Sequence, residues 1–211
     1  MLHEQYRPTT WDEYVGNSKS VATVRRIISK PGYTGGAFWI DGPSGIGKTT
    51  LAWLAARDLV GSEIDIEEID GDSCTVDRVR ELSDSIRYRP IGGKFRAVII
   101  NEAHAMTARA VQAWLTLLER LPREVVIFFT TTEGRQTDLF GQFDGPLKSR
   151  CVCITLSSYG VAEEFALHAK TIAEREGLDG QPITKYKRLV ADNKNNLRAV
   201  LSEIEAGVMV A

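Results

Sequence analysis

The sequence is poor in residues that staple a fold or hold a metal. Three cysteines in 211 residues cannot all pair. Cys74, Cys151 and Cys153 therefore give no disulfide framework and suit a reducing compartment such as the cytosol. His3, His104 and His168 are scattered, so no zinc-ligand spacing appears. The cysteines are expected as small buried apolar residues, with Cys151 and Cys153 alternating onto one face of a strand. Neither sign of charge dominates. The 26 Lys and Arg against 28 Asp and Glu give a net charge of −2, which excludes a strongly basic nucleic-acid coat and leaves room only for a local basic surface. No apolar run approaches membrane-spanning length, and Met1 to Pro8 shows no basic start followed by an apolar block. A cytoplasmic protein with no membrane partner is expected. Internal repeats and low-complexity stretches are absent as well.

What is present is ordinary globular material, 43% hydrophobic and 26% charged. Short apolar runs alternate with helical patterns. Strands are predicted over 37–40, 64–69, 97–100, 125–129 and 151–156, and helices over 47–60, 75–88 and 107–121, the last with Thr107 as N-cap. Such alternation implies an α/β fold with a five-stranded parallel sheet between helices. After Ser157-Ser158 the strands cease. Helices are predicted over 159–176, 183–191 and 196–205, the first stopped by Gly177. The expected organisation is an α/β nucleotide-binding domain over 1–157 and a small three-helix lid over 158–211.

Gly42-Pro43-Ser44-Gly45-Ile46-Gly47-Lys48-Thr49 matches every position of the phosphate-binding loop pattern, between a predicted strand and a predicted helix. Glycines let backbone N–H groups curl round phosphate oxygens, and the helix N-terminus adds a favourable dipole. Lys48 would place its charge on the outer phosphates, and the Thr49 hydroxyl would ligate Mg²⁺, with Thr50 next along the helix.

Such sites also need acidic groups at the end of a neighbouring buried strand. Ala97-Val98-Ile99-Ile100 leads into Asn101-Glu102. Glu102 suits a general base that polarises water. Asn101, at the position that orients a Mg²⁺-bound water, keeps an acceptor oxygen but lacks the negative charge, so the sequence predicts weakened Mg²⁺ positioning with the phosphate cradle intact.

Together these residues resemble the AAA+ ATPases, and among them the small or motor subunits of DNA-polymerase clamp loaders. Tyr6-Arg7-Pro8 and Trp11 to Asn17, with Tyr14, Val15 and Gly16, are similar to the family's N-terminal stretch around the adenine. Asp70-Gly71-Asp72 and Ala113 to Glu119 also fit. The resemblance implies a first sensor of the γ-phosphate at Thr132, with Thr131 second. It implies that Arg150 of Ser149-Arg150-Cys151, in a loop after Pro146-Leu147-Lys148, reaches the nucleotide of a neighbouring subunit in trans. It implies a second sensor at Arg198 of Asn196-Leu197-Arg198. The similarity covers Tyr6 to about Glu205. It departs at Asn101 and in the family's third, helical collar domain, which the sequence is expected to lack.

The resemblance implies ATP and Mg²⁺ as ligands, and a slow ATPase working in a ring or partial ring, with itself or related AAA+ subunits, on primed or duplex DNA. A sliding clamp is a further implied partner. Two alternatives stand beside it: an ATP-dependent assembly module with little or no hydrolysis, favoured by Asn101, and a recombination or branch-migration motor of the same superfamily. DNA contacts are expected at Thr107, Arg109 and Arg89, weak in one subunit and summed over several. Trp39, Trp53 and Trp114 are expected in the core, and Trp11 near the adenine region.

Overall fold

The computed structural model describes residues 1–132 and 141–210. In chain order the helices are α1 (Leu2–Gln5), α2 (Ser18–Ile28), α3 (Lys48–Leu59), α4 (Val76–Ser85), α5 (Ala108–Leu118), α6 (Gly141–Lys148), α7 (Ala162–Glu176), α8 (Ile183–Asp192) and α9 (Leu197–Glu205). The strands are β1 (Gly35–Gly42), β2 (Ile66–Asp70), β3 (Arg96–Asn101), β4 (Val125–Thr132) and β5 (Val152–Thr155). They form one parallel sheet in the order β2-β3-β4-β1-β5.

Side-chain alternation explains why the central strands read as continuous apolar runs. Phe38, Ile40, Ala97, Ile99, Val126 and Phe128 face one core, with Leu51 and Ala55 of α3 and Phe165 and Ile172 of α7. Trp39, Val98, Ile100, Ile127 and Phe129 face the other, with Val79 and Leu82 of α4 and Trp114 of α5. Both faces are covered, as a parallel sheet requires. Trp114 is fully buried and meets Phe129 edge-on, with ring centroids 5.1 Å apart.

Four details differ from the sequence expectation. The period-two run does not begin a strand at Ile64. Glu63–Asp65 forms a 3-10 turn because the buried Asp65 carboxylate accepts from the Ile91 and Gly92 amides. Pro146 to Lys148 lies in α6, not in a loop, with Pro146 inside the helix and Leu147 buried. The first helix after the sheet starts at Ala162, since Gly160 takes a positive φ and Tyr159 is exposed. The cysteines are not all buried: Cys74 is, Cys151 is half-buried ahead of β5, and Cys153 is exposed. Burial and the neighbouring Cys153 push the Cys151 thiol up to about 12, so it stays protonated and inert. Among the described residues no helix is long and apolar enough to cross a membrane, and no cluster of His, Cys, Asp and Glu could hold a metal by itself.

Candidate active site

The strand order puts the carboxyl ends of β1, β3 and β4 on one edge, where open α/β sheets bind ligands. There the chain turns from β1 into α3 through residues 42–47. Gly45 has φ +70°, and a Cβ on it would sit 1.8 Å from Asn196 Oδ1. Gly47 has φ +105°, and its Cβ would sit 2.7 Å from the Tyr14 hydroxyl. No side chain fits at either point, so the loop can close tightly against Asn196 and Tyr14. Lys48 folds back over the loop, with Nζ donating to Gly42 O at 2.9 Å and to Pro43 O at 2.8 Å.

Opposite the loop, β3 ends in a polar cluster. The Thr49 hydroxyl donates to Asn101 Oδ1 at 2.9 Å, and the Thr130 hydroxyl donates to the same oxygen at 3.2 Å. Asn101 Nδ2 donates to Glu68 Oε1, and Trp53 Nε1 donates to Glu68 Oε2 at 2.8 Å. Glu102 adopts the left-handed region at φ +48°, a costly conformation for a residue with a Cβ. Its half-exposed carboxylate accepts from the Thr132 hydroxyl at 3.2 Å and meets His104 Nε2 at 3.3 Å. His104 Nδ1 lies 3.2 Å from the Thr131 hydroxyl.

These groups open onto a cavity of about 600 Å³. Its lining joins Ser44, Gly45, Ile46, Gly47, Lys48, Thr49 and Thr50 to Tyr6, Arg7, Pro8, Tyr14 and Val15 of the N-terminal stretch. Asn101, Glu102, Glu68 and Asp70 line it from the sheet, and Phe165, His168, Leu197, Arg198 and Leu201 from α7 and α9. A second cavity of about 310 Å³ is lined by Asp72, His104 and Thr132 and shares Ser44, Asp70 and Glu102 with the first. Burial pushes the Tyr14 phenol well above its usual range, so it stays a neutral donor. Burial, helped by Arg175, pushes the His168 imidazole down.

The size suits a nucleotide, and the apolar, cationic and oxygen-rich portions of the lining match its three parts. The donor set around Thr49, a hydroxyl and an amide oxygen beside carboxylates, consists of the hard oxygens that Mg²⁺ takes. The cradle that a Cβ would fill and these donors fit ATP with Mg²⁺.

The expected residues divide as follows. The loop from Ser44 to Thr50, Tyr6, Arg7, Pro8, Tyr14, Val15, Asn101, Glu102 and Arg198 line the main cavity, and Thr132 lines the second. Gly42 and Pro43 act through their carbonyls, which hold Lys48. Thr131 touches His104 rather than either cavity. Gly16 packs under Phe165, where a Cβ would come within 3.0 Å of the ring, and its amide donates to Glu164. Trp11 stands apart from the cavity lining, with its indole on Asp58 and beneath Arg25. Arg150 lines neither cavity; its guanidinium donates to Pro146 O at 3.0 Å and to Glu119 Oε1 at 2.9 Å. Arg109 and Arg89 are exposed, and the Thr107 hydroxyl caps α5 by accepting from the Ala110 amide. Glu68, Asp70 and Thr130 were not read from the sequence as site residues. Their one available signal is register: Asp70 pairs with Asn101 across β2 and β3, which places Glu68, two residues earlier, on the same face.

Residues 61–159 match a family model described as DNA polymerase III, delta subunit. The chain is similar to DNA polymerase III subunit gamma/tau of Mycobacterium bovis, at 30% identity over 156 residues, covering 63% of this chain and 27% of that protein. It is similar to the replication factor C small subunit of Methanosphaera stadtmanae, at 26% identity over 208 residues, covering 96% of this chain and 61% of that protein. It thus spans about a quarter and three-fifths of those relatives' lengths. In fold it resembles the Thermotoga maritima RuvB Holliday junction branch migration motor, with a TM-score of 0.76 at 18% identity, covering 95% of this chain and 64% of that one.

Proposed function

We propose that this chain is an AAA+ protein of the clamp-loader type, and that it binds ATP with Mg²⁺ and hydrolyses it as one subunit of an oligomer on DNA. We divide the chain into a nucleotide-binding unit over 1–157 and a lid over 158–211. The observation that carries the reading is a single cavity lined by the phosphate loop, Asn101 at the end of β3 and Glu102 just after it, and Arg198 from α9. Loop amides and Lys48 hold the phosphates, while Tyr6, Pro8, Tyr14 and Val15 surround the base. Glu102 takes the proton of the attacking water, and Thr132 and His104 hold its carboxylate. Thr49 and Asn101 are the residues that would hold Mg²⁺, which neutralises phosphate charge when bound. Arg198 carries charge from the lid to the phosphates. Arg150 lies outside its own chain's cavities, which supports a role at a neighbour's site. A ring or partial ring with related AAA+ subunits follows, with Thr107, Arg109 and Arg89 facing primed or duplex DNA and a sliding clamp as a further partner.

Asn101 favours a second reading, an assembly module that binds ATP and turns it over little. Steady-state ATPase with and without primed DNA separates the two. The shared premise is tested by Lys48→Ala, which is expected to abolish nucleotide binding while circular dichroism stays unchanged. Equilibrium titration with a fluorescent ATP analogue reads it, and an unaltered affinity would remove the loop from the site.

A further inference from the structure

The Asn101 side chain is oriented by its neighbours. A carboxylate only accepts hydrogen bonds, so the atom facing Glu68 must be the amide nitrogen. The amide oxygen then faces Thr49 and Thr130, both donors. To Thr49, Asn101 therefore presents the same acceptor that a carboxylate would. The negative charge absent from residue 101 stands one hydrogen bond away on the next strand. Glu68 is held there on its other oxygen by Trp53 and itself lines the cavity. Burial pushes the neighbouring Arg7 guanidinium down, and the Glu68 charge opposes that shift.

We propose that Glu68 supplies the carboxylate charge of the Mg²⁺ site and that Asn101 is matched to it, relaying its position to Thr49. The proposal rests on the reading of Thr49 and Asn101 as the Mg²⁺-holding pair. Glu68 is a positioning residue that acts through Asn101. The pairing also forbids the simple repair at residue 101. An aspartate there would set two carboxylates against each other, and one of them would have to turn away or take up a proton. Exchanging both residues, Glu68→Gln with Asn101→Asp, keeps the hydrogen bond and the single charge and only reverses its direction.

The test is a Mg²⁺ titration of fluorescent ATP-analogue affinity, repeated in EDTA, on the full chain and three variants. Glu68→Gln is expected to raise the Mg²⁺ concentration for half-maximal tight binding about ten-fold, the scale of one unit charge moved a few ångströms at a partly exposed site, while binding in EDTA is not weakened, because one carboxylate fewer then faces the phosphates. Asn101→Asp alone is expected to bring no improvement in Mg²⁺ requirement. The double variant is expected to return to within about two-fold of the natural chain, a non-additivity that marks direct coupling. An equal loss in Mg²⁺ and in EDTA for Glu68→Gln would make its role merely structural. An Asn101→Asp improvement that is the same with Glu or Gln at residue 68 would show the two sites to be independent. Either result overturns the proposal. Should Glu68→Gln not fold, Glu68→Asp draws the charge back by one methylene, and an unchanged Mg²⁺ requirement there would overturn it too. A natural chain that binds no nucleotide in either condition would overturn the site reading itself, a different failure from natural binding with residue 68 indifferent.

Discussion

His168 lines the nucleotide cavity from α7, and its imidazole is pushed down by burial and then by Arg175. A histidine depressed in the folded state binds fewer protons there than in the unfolded chain. Its contribution to stability is therefore complete above the ordinary value of about 6.5 and is lost as pH falls below it. The melting temperature is expected to drop as pH is lowered from about 7 to about 5.5, and His168→Gln is expected to flatten part of that drop. Identical pH profiles for the two proteins would contradict it. At this scale the sequence was informative where the chemistry is contiguous. The eight residues from Gly42 to Thr49 carry their own context, strand before and helix after. Glu68 and Thr130 were hidden because their meaning depends on two register relations, β2 to β3 and β3 to β4, that no local pattern encodes. Trp11 was misplaced for the converse reason: nearness in sequence to Tyr14 and Val15 says nothing of which way the indole turns, and it turns to Asp58.

At the scale of elements, helix starts were the most readable feature. Thr75, Thr107 and Asn196 each accept from an amide in the first turn of α4, α5 and α9. Thr107→Ala is expected to cost about 1 kcal/mol by removing the cap, seen as a lower urea midpoint at unchanged slope. Asn196 does more than cap α9, because its side chain also stands against Gly45 of the phosphate loop. Gly45→Ala is thus expected to damage both the loop and the start of α9, with nucleotide affinity falling and chemical denaturation showing a destabilisation of more than about 1 kcal/mol, since φ +70° is itself strained for alanine. An alanine variant of natural stability and affinity would show that the loop and α9 do not bear on each other. The helix α6 could not be read, since Gly145 and Pro146 are both signals for a break, yet the buried Leu147 and the 2.7 Å pair of Lys148 with Asp41 hold it to the sheet. That anchoring also fixes where Arg150 emerges, two residues beyond.

For the whole molecule, alternating strand and helix signals specified the parallel sheet and both covered faces. The strand order, which brings β4 between β3 and β1, emerges only in the fold. That order lets Thr130 and Thr132 touch Asn101 and Glu102 while β1 delivers the phosphate loop beside them. Assembly is the remaining level. Arg150 rests on Glu119 at the surface of its own chain, away from the cavity that holds Glu102, and under the proposed function it completes the site of a second subunit. The most direct measurement mixes Arg150→Ala subunits with Glu102→Gln subunits and follows ATP hydrolysis across their ratio on primed DNA. Each variant alone is expected to lose about 10³-fold in turnover while binding nucleotide normally. The mixture is expected to recover activity at intermediate ratios, because some interfaces then pair an intact Glu102 with an intact Arg150. Absence of recovery at every ratio, with both variants still assembling, would contradict a base and an arginine contributed by different chains.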